Sequence, residues 1–221
     1  KGSLGGRLAH VLTSELLPHC DAVVDLHTGA VNRANLPQIR VTADDDASLE
    51  LAGAFGSPVT MQAGVREGSF RYTCNEAKIP VILYESGEAL RLDTPSIRFG
   101  QQGIHAVMRH MGMLPKRPIA AKQRAKNAVL SEKSYWERAQ VGGLFTSMIA
   151  LGKAVNVGDV LGFIADPLGD YEELVKATQS GILIGRTNEG QADEGDALFH
   201  IALVKNPDSA EKRIVKSGEG L

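Results

Sequence analysis

The pattern of apolar residues changes near Leu114, and this change constrains the fold more than any other feature. Before it, helical and strand-like patterns alternate along the chain. After it, short segments rich in Val, Ile and Gly are separated by Gly-Asp turns. We therefore predict an α/β domain from Lys1 to about Pro115 and an all-β module over residues 129–204.

The first part predicts a sheet with helices on both faces. Apolar residues recur at helical spacing from Ser3 to Leu17, and Ser3 is a suitable N-cap. The strand-like segments are Ala22–Leu26, Leu36–Ala43 and Ile79–Glu85. Further helical patterns cover Ala47–Phe55, Tyr72–Lys78 and Ser96–Met113. Strands that alternate with helices in this way are typical of a sheet covered on both faces.

The second part contains an internal repeat. "VNVGDVLGFI" and "ADEGDALFHI" share a Gly-Asp turn followed by alternating apolar residues, which aligns Leu161 with Leu198 and Ile164 with Ile201. Two similar hairpin units predict a pseudo-symmetric β sandwich. The basic, proline-containing stretch over 116–128 is predicted to be a linker, and 205–221 a polar tail.

The repeated module resembles the lipoyl and biotinyl carrier domain. Carriers have a lysine at an exposed hairpin tip, whereas the matching tip here, "GDYEE" over Gly169–Glu173, has none. Lys176 lies within the following strand and is interpreted as a solvated surface residue. We therefore expect a barrel-sandwich-hybrid-like module with no attached lipoyl or biotinyl group, packed near the active-site cleft and restricting access to it.

Composition limits the classes of partner. A net charge of -2 over 221 residues, without a block of like charges, favours neither nucleic acid nor a membrane surface. The two cysteines, Cys20 and Cys74, are too few for a disulfide framework, which fits a reducing compartment such as the cytoplasm. No apolar run approaches the roughly 20 residues that span a bilayer. The first residue is not Met and a helical pattern starts almost at once, so we expect a fragment of a longer protein.

Two residues stand where apolar strands end. His27 follows "AVVDL" and Glu85 ends "IPVILYE". Strand ends commonly carry chemistry in open α/β sheets. From chemistry alone, His27 is either a metal ligand or a hydrogen-bonded structural residue, and Glu85 is either a catalytic carboxylate or a solvated residue before a Ser-Gly turn. Glu88 is the neighbouring rival of Glu85.

The order of motifs resembles the succinylglutamate desuccinylase and aspartoacylase family, which belongs with the zinc carboxypeptidases. The order is "DLHTGA", "NLPQIR", "IPVILYESGEALRLD" and then the β module, and the resemblance runs from Ser3 to about Leu203. It implies a zinc-carboxypeptidase-like mixed sheet and zinc-dependent hydrolysis of an N-acyl amino acid or a related small amide. His27 matches the third zinc ligand, and Glu85 matches the general base.

The other two zinc ligands of the family, a histidine and a glutamate in a His-x-x-Glu motif, have no match here. None of the six histidines has a glutamate three residues later: His10, His19, His27, His105, His110 and His200. Because a zinc site needs three or four ligands, we expect this chain alone to hold no stoichiometric zinc. The alternative interpretation is a non-catalytic binding or scaffold homologue that retains the fold.

The remaining site candidates are substrate contacts. Arg33 and Asn35 follow the histidine loop and either bind a substrate carboxylate or belong to a solvated loop. Tyr72 matches a tyrosine that aspartoacylase carries before its base strand. Four residues later this chain has Glu76 where aspartoacylase has a substrate-binding arginine, which disfavours acidic acyl amino acids. The partner is then a small acyl amino acid or amide, and a homo-oligomer stays open.

Overall fold

The computed structural model describes residues 2–115 and 128–218. The predicted linker therefore lies outside the described residues, except for Ala128. The first part contains α1 (Leu4–Val11), β1 (Val23–His27), β2 (Arg33–Val41), α2 (Asp46–Phe55), β3 (Val59–Gln62), α3 (Phe70–Glu76), β4 (Val81–Gly87) and α4 (Thr94–His110). A π-helical turn (Leu12–Leu16) and a 3-10 turn (Leu17–His19) connect α1 to β1.

The second part contains short strands and one helix. The strands are β5 (Val129–Ser131), β6 (Ser134–Arg138), β7 (Gly143–Ser147), β8 (Ala154–Val155), β9 (Val160–Ala165), β10 (Glu172–Lys176), β11 (Gly181–Thr187), β12 (Gln191–Ala192) and β13 (Ala197–Leu203). They are followed by α5 (Pro207–Gly218). None of the helices in the described ranges has both the length and the apolar character that a bilayer crossing requires.

The first part forms a mixed sheet, as the sequence predicts. β1 and β4 run parallel, β4 and β2 antiparallel, and β2 and β3 parallel. One face packs on α2 and α4 through Ile39, Phe55, Tyr84 and Phe99. The approach of α4 to α2 is close, because a Cβ at Gly103 would lie 2.3 Å from the Phe55 ring. The other face packs on α3 and on α5.

The β module confirms the internal repeat. The aligned pairs Leu161 and Leu198, and Ile164 and Ile201, are all fully buried in one core. The two Gly-Asp turns also match, because Asp159 and Asp196 each accept a hydrogen bond from a backbone N–H three residues earlier, at 2.8 and 2.9 Å. Each half of the module therefore folds in the same way.

The two halves of the module exchange strands. One sheet has the order β10-β9-β7-β12, and the other runs β6-β13-β11-β8 within the larger sheet. Each sheet thus combines two strands from the first half of the module (β6–β9) with two from the second half (β10–β13). The four-stranded sheet ends at β10 and β12 and does not close into a barrel. The lysine-free segment "GDYEE" covers the end of the turn between β9 and β10 and the first two residues of β10, and Lys176 is exposed on β10, as predicted.

One continuous sheet connects the two parts of the chain. β2 pairs with β11, which places Asn35 opposite Gly185 and Ala34 opposite Arg186. The module therefore adjoins the strand that follows the histidine loop. The domain limits near residues 115 and 129 stay a prediction.

The segment predicted to be a polar tail forms α5. Ala210 and Ile214 are buried against Val59, Met61 and Ile184. Glu211 fixes the helix further, because it accepts hydrogen bonds from Lys153 Nζ at 2.7 Å and from a backbone N–H of β8 at 2.8 Å. Because these two apolar residues stand among many charged ones, the sequence gives little indication of a packed helix. The surface that they cover is nevertheless apolar.

Candidate active site

Strand register brings the two principal candidates together. In the parallel pairing of β1 with β4, His27 lies opposite Glu85 and Asp25 lies opposite Leu83. Residues in register on neighbouring strands project to the same face, so His27, Asp25 and Glu85 share one face of the sheet. Both strands also end here at their carboxyl ends, where open α/β sheets commonly bind ligands.

His27 is the last residue of β1, and its side chain is 49% exposed. Its Nε2 lies 3.1 Å from Asp25 Oδ2. A carboxylate at this nitrogen orients the ring and leaves Nδ1 as the nitrogen that would face a metal ion. The loop after His27 is tightly placed, because a Cβ at Gly29 would lie 2.1 Å from the carbonyl oxygen of Arg33 and 2.8 Å from that of Gly87.

Glu85 is held by two side chains of β2. Asn35 donates through Nδ2 to Glu85 Oε1 at 2.6 Å, and Arg40 Nε lies 2.9 Å from Glu85 Oε2. The Glu85 side chain is 18% exposed. A Cβ at Gly185 would lie 2.6 Å from Asn35 Oδ1, so glycine in β11 leaves the space that the Asn35 amide occupies. The carboxylate is therefore fixed in orientation while it keeps a solvent-facing surface.

Glu88, the rival carboxylate, connects two loops instead. It accepts hydrogen bonds from the backbone N–H of Asn32 at 3.2 Å and from Asn188 Nδ2 at 2.8 Å. Asn188 also donates its backbone N–H to the carbonyl of Asn32 at 2.7 Å. These contacts give Glu88 a structural role, because they hold the loop after β11 against the loop after β1.

The predicted substrate contacts occupy three different environments. The Arg33 guanidinium lies 4.7 Å from the centre of the Trp136 ring and donates to the carbonyl of Ala197. Asn35 contacts Glu85, as described. Tyr72 lies half-buried on α3. Asn35 is thus joined to the predicted base, Arg33 contacts the β module, and the substrate-binding roles of all three stay predictions.

Sequence reasoning missed three buried or partly buried polar residues, of which two, Gln38 and Arg40, lie beside Glu85. Gln38 is fully buried opposite Glu85, Arg40 pairs with Glu85, and Arg71 is buried on α3. Burial, and then the nearby charge of Arg40, lower the pKa of Arg71. Arg71 donates to the carbonyl of Gly64 at 2.8 Å. The alternation of Gln38 and Arg40 with apolar neighbours in "QIRV" is the signal that marks a polar face of β2.

The described residues do not make a complete zinc site. Within residues 2–115 and 128–218, no three His, Cys, Asp or Glu side chains lie in a group that could hold a metal ion. Structural and catalytic zinc sites use at least three protein ligands. His27, oriented by Asp25, fits the part of one ligand.

The arrangement is a carboxylate that an amide and a guanidinium hold in place, beside an exposed histidine at a sheet edge. Such a carboxylate can move a proton on a small molecule bound there.

The family model described as the succinylglutamate desuccinylase/aspartoacylase catalytic domain matches residues 3–111. A curated relative, N-alpha-acetyl-L-2,4-diaminobutyric acid deacetylase from Halomonas elongata, is 25% identical over 212 residues. This match covers 92% of this chain but 62% of the relative, so the chain spans less than two thirds of its length.

Solved structures share the fold. The ectoine utilization protein EutE from Ruegeria pomeroyi has a TM-score of 0.81 at 22% identity, over 92% of this chain and 67% of that one. A succinylglutamate desuccinylase from Silicibacter sp. TM1040 has a TM-score of 0.80 at 25% identity, over 93% of this chain and 64% of that one. The match of the catalytic-domain model to residues 3–111 shows that this part of the chain belongs to the succinylglutamate desuccinylase/aspartoacylase family.

Proposed function

We propose that the chain carries the proton-transfer part of a hydrolase site that cleaves the amide bond of an N-acyl amino acid or a related small amide. The observation that carries the proposal is the register of β1 and β4, which places Glu85 beside His27 at the carboxyl ends of both strands. Membership of a family whose named relatives are a deacetylase and a desuccinylase supports it.

Glu85 is the proposed general base. A water molecule that attacks the amide carbonyl must lose a proton, and the departing amine must gain one. A single carboxylate within about 2.6–3.2 Å of the water performs both transfers in turn. Asn35 and Arg40 serve as positioning residues, because each holds one oxygen of the Glu85 carboxylate.

Zinc dependence is the finer part of the proposal. It follows from the family resemblance, and it requires ligands that join His27 from beyond the described residues. Arg33, Asn35 and Tyr72 remain the proposed substrate contacts. Glu76, which we expect to disfavour acidic substrates, is exposed at the end of α3.

The β module is proposed to border the site without acting as a carrier. β11 lies beside Asn35, and Asn188 in the following loop contacts Glu88. Its barrel-sandwich-hybrid-like arrangement then restricts access to Glu85 instead of carrying a cofactor. Intact-mass measurement of the protein purified from its source tests this part, because a lipoyl or biotinyl adduct would contradict it.

The decisive experiment is Glu85→Gln in the whole translation product of the gene. The substitution keeps the shape and removes the base, so kcat should fall by a factor on the order of 100 or more with unchanged metal content. Glu88→Gln is the matched control and should keep the chemical rate while it weakens the contact between the two loops. Equal activity of Glu85→Gln and the parent protein would refute Glu85 as the base.

The non-catalytic alternative is favoured by the incomplete set of metal ligands in the described residues. Metal analysis and amide hydrolysis assays of the 221-residue chain and of the whole product separate the two proposals. The deacylase proposal expects zinc and activity in the whole product but neither in the 221-residue chain. Absence of both from the whole product would support the scaffold homologue, and tightly bound zinc in the 221-residue chain would overturn the ligand assignment.

A further inference from the structure

The four-stranded sheet of the β module ends at an open strand. Its order is β10-β9-β7-β12, and of the strands that the structure describes only β9 pairs with β10. The carbonyl of Tyr171 and both backbone groups of Ala177 bond to residues that flank β9. Backbone groups alternate in direction along an antiparallel strand. Glu172, Leu174 and Lys176 therefore present their N–H and C=O groups to the free edge.

The same sheet exposes an apolar outer face. On β10, Leu174 points outward, whereas Val175 is buried in the module core. Strand register continues the outward row from Leu174 through Phe163 to Thr146. Four apolar residues on this face or just beyond its strands are 39–65% exposed: Leu144, Met148, Val160 and Leu174. Apolar residues that adjoin one another across a sheet in this way mark an interaction surface.

The charges on β10 identify the partner. Glu172 and Lys176 lie two residues before and two residues after Leu174, and both are exposed on its face of the strand. Charged side chains at a strand edge commonly keep other strands away. Here, however, the edge is self-complementary. When a second β10 lies antiparallel about Leu174, each Glu172 faces a Lys176 and the two leucines face each other, which are favourable cross-strand pairs.

We propose that the chain forms a twofold dimer in which β10 pairs antiparallel with β10 of a second copy. The two four-stranded sheets then become one sheet of eight strands, and their apolar outer faces become continuous. A single pair of five-residue strands is small beside the roughly 1,200 Å² of a standard interface, so we expect monomer and dimer in equilibrium. The candidate active site lies on β1, β2 and β4 of the other sheet, so the dimer does not depend on the proposed function.

Sedimentation velocity of the 221-residue chain over a range of concentrations tests the proposal. Lys176→Glu should weaken dimerisation about tenfold or more, because the twofold axis places two glutamates opposite each other at two places. Glu172→Lys should have the same effect with two lysines. Lys212→Glu, at an exposed position on α5, is the matched control and should leave the dimerisation constant unchanged.

Charge exchange separates a specific strand pair from a general effect of charge. The double variant Glu172→Lys with Lys176→Glu should dimerise like the parent chain, because it restores both opposite pairs. An equal mixture of the two single variants should form a heterodimer for the same reason. Neither result is expected when the two residues act only as solubilising charges.

Hydrogen exchange locates the contact. The amides of Glu172, Leu174 and Lys176 should become protected as the concentration of the parent chain rises, but not in Lys176→Glu. Protected β11 amides show that each variant is folded.

Four results would overturn the proposal: a monomer at every concentration, equal dimerisation of Lys176→Glu and the parent, no association of the mixed single variants, and a dimer that forms in the 221-residue chain but not in the whole translation product.

Discussion

The β module and residues 4–27, here called the amino-terminal corner, bury their apolar residues to very different extents. In the module, each sheet contains two strands from each half, and the repeated leucines and isoleucines are completely buried. In the corner, an equally regular apolar pattern stays exposed along α1. The comparison shows that apolar periodicity defines a face of an element but does not by itself determine whether that face is buried.

The strongest test of this comparison removes equivalent leucines from the two halves of the module. Leu161→Ala and Leu198→Ala should each lower the free energy of unfolding by about 2–5 kcal/mol, because both leave a cavity in the same core. Urea denaturation measures the loss. Leu168→Ala, at an 86% exposed position between β9 and β10, is the control and should change stability by less than about 0.5 kcal/mol. A much smaller loss for one leucine would contradict the equivalence of the halves.

An intermediate effect is expected from His200, which is buried on β13. It stacks on Trp136 with ring centres 4.4 Å apart, and its Nε2 lies 2.8 Å from Ser134 Oγ. Burial, and then the charges of Arg40 and Arg33, lower the pKa of His200 to about 3. Below pH about 6.5 the unfolded chain gains a proton that the folded chain resists. The contribution of His200 to stability is therefore complete above pH 6.5 and declines as the pH falls towards 3.

The size of this decline is about 1.4 kcal/mol per pH unit, or about 2 kcal/mol between pH 6.5 and 5. His200→Gln should flatten the pH dependence of the free energy of unfolding over this range, whereas His10→Gln, at an exposed position, should leave it unchanged. Urea denaturation at several pH values provides the measurement. Parallel curves for His200→Gln and the parent chain would show that the buried imidazole does not oppose protonation.

The smallest effect is expected in the amino-terminal corner. Leu8→Ala should change the free energy of unfolding of the 221-residue chain by less than about 0.5 kcal/mol, because Leu8 is exposed and alanine favours helix. Thermal denaturation of the two proteins measures the difference. A loss comparable with that of Leu161→Ala would mean that α1 packs in this chain as tightly as the module core.

Much of the fold could be predicted from local patterns. The helix starting at Ser3, the strand ending at His27 and the strand containing Glu85 all form close to their predicted limits. β3 was missed because four residues are too few for a clear alternation. α5 was missed because only two of its residues, Ala210 and Ile214, pack in the core, which is too few to show a helical pattern in the sequence.

The candidate site was predicted only in part. His27 and Glu85 emerged from their positions at strand ends and from the family resemblance. Arg40 and the contact between Asn35 and Glu85 could not be predicted, because they depend on how β2 lies against β4. The register of this pair shifts between Asn35 and Gln38. No local pattern encodes such a shift, since it arises from packing across the sheet.

The sequence by itself determined the order of elements, the repeated β hairpins and the two strand ends at which His27 and Glu85 stand. Tertiary structure decided that these two residues lie side by side on one face of the sheet, that Glu88 joins two loops and that β11 extends the sheet past Asn35. The physical reason is range. Periodicity and turn residues act between neighbours along the chain, whereas register and burial depend on contacts between residues far apart in sequence.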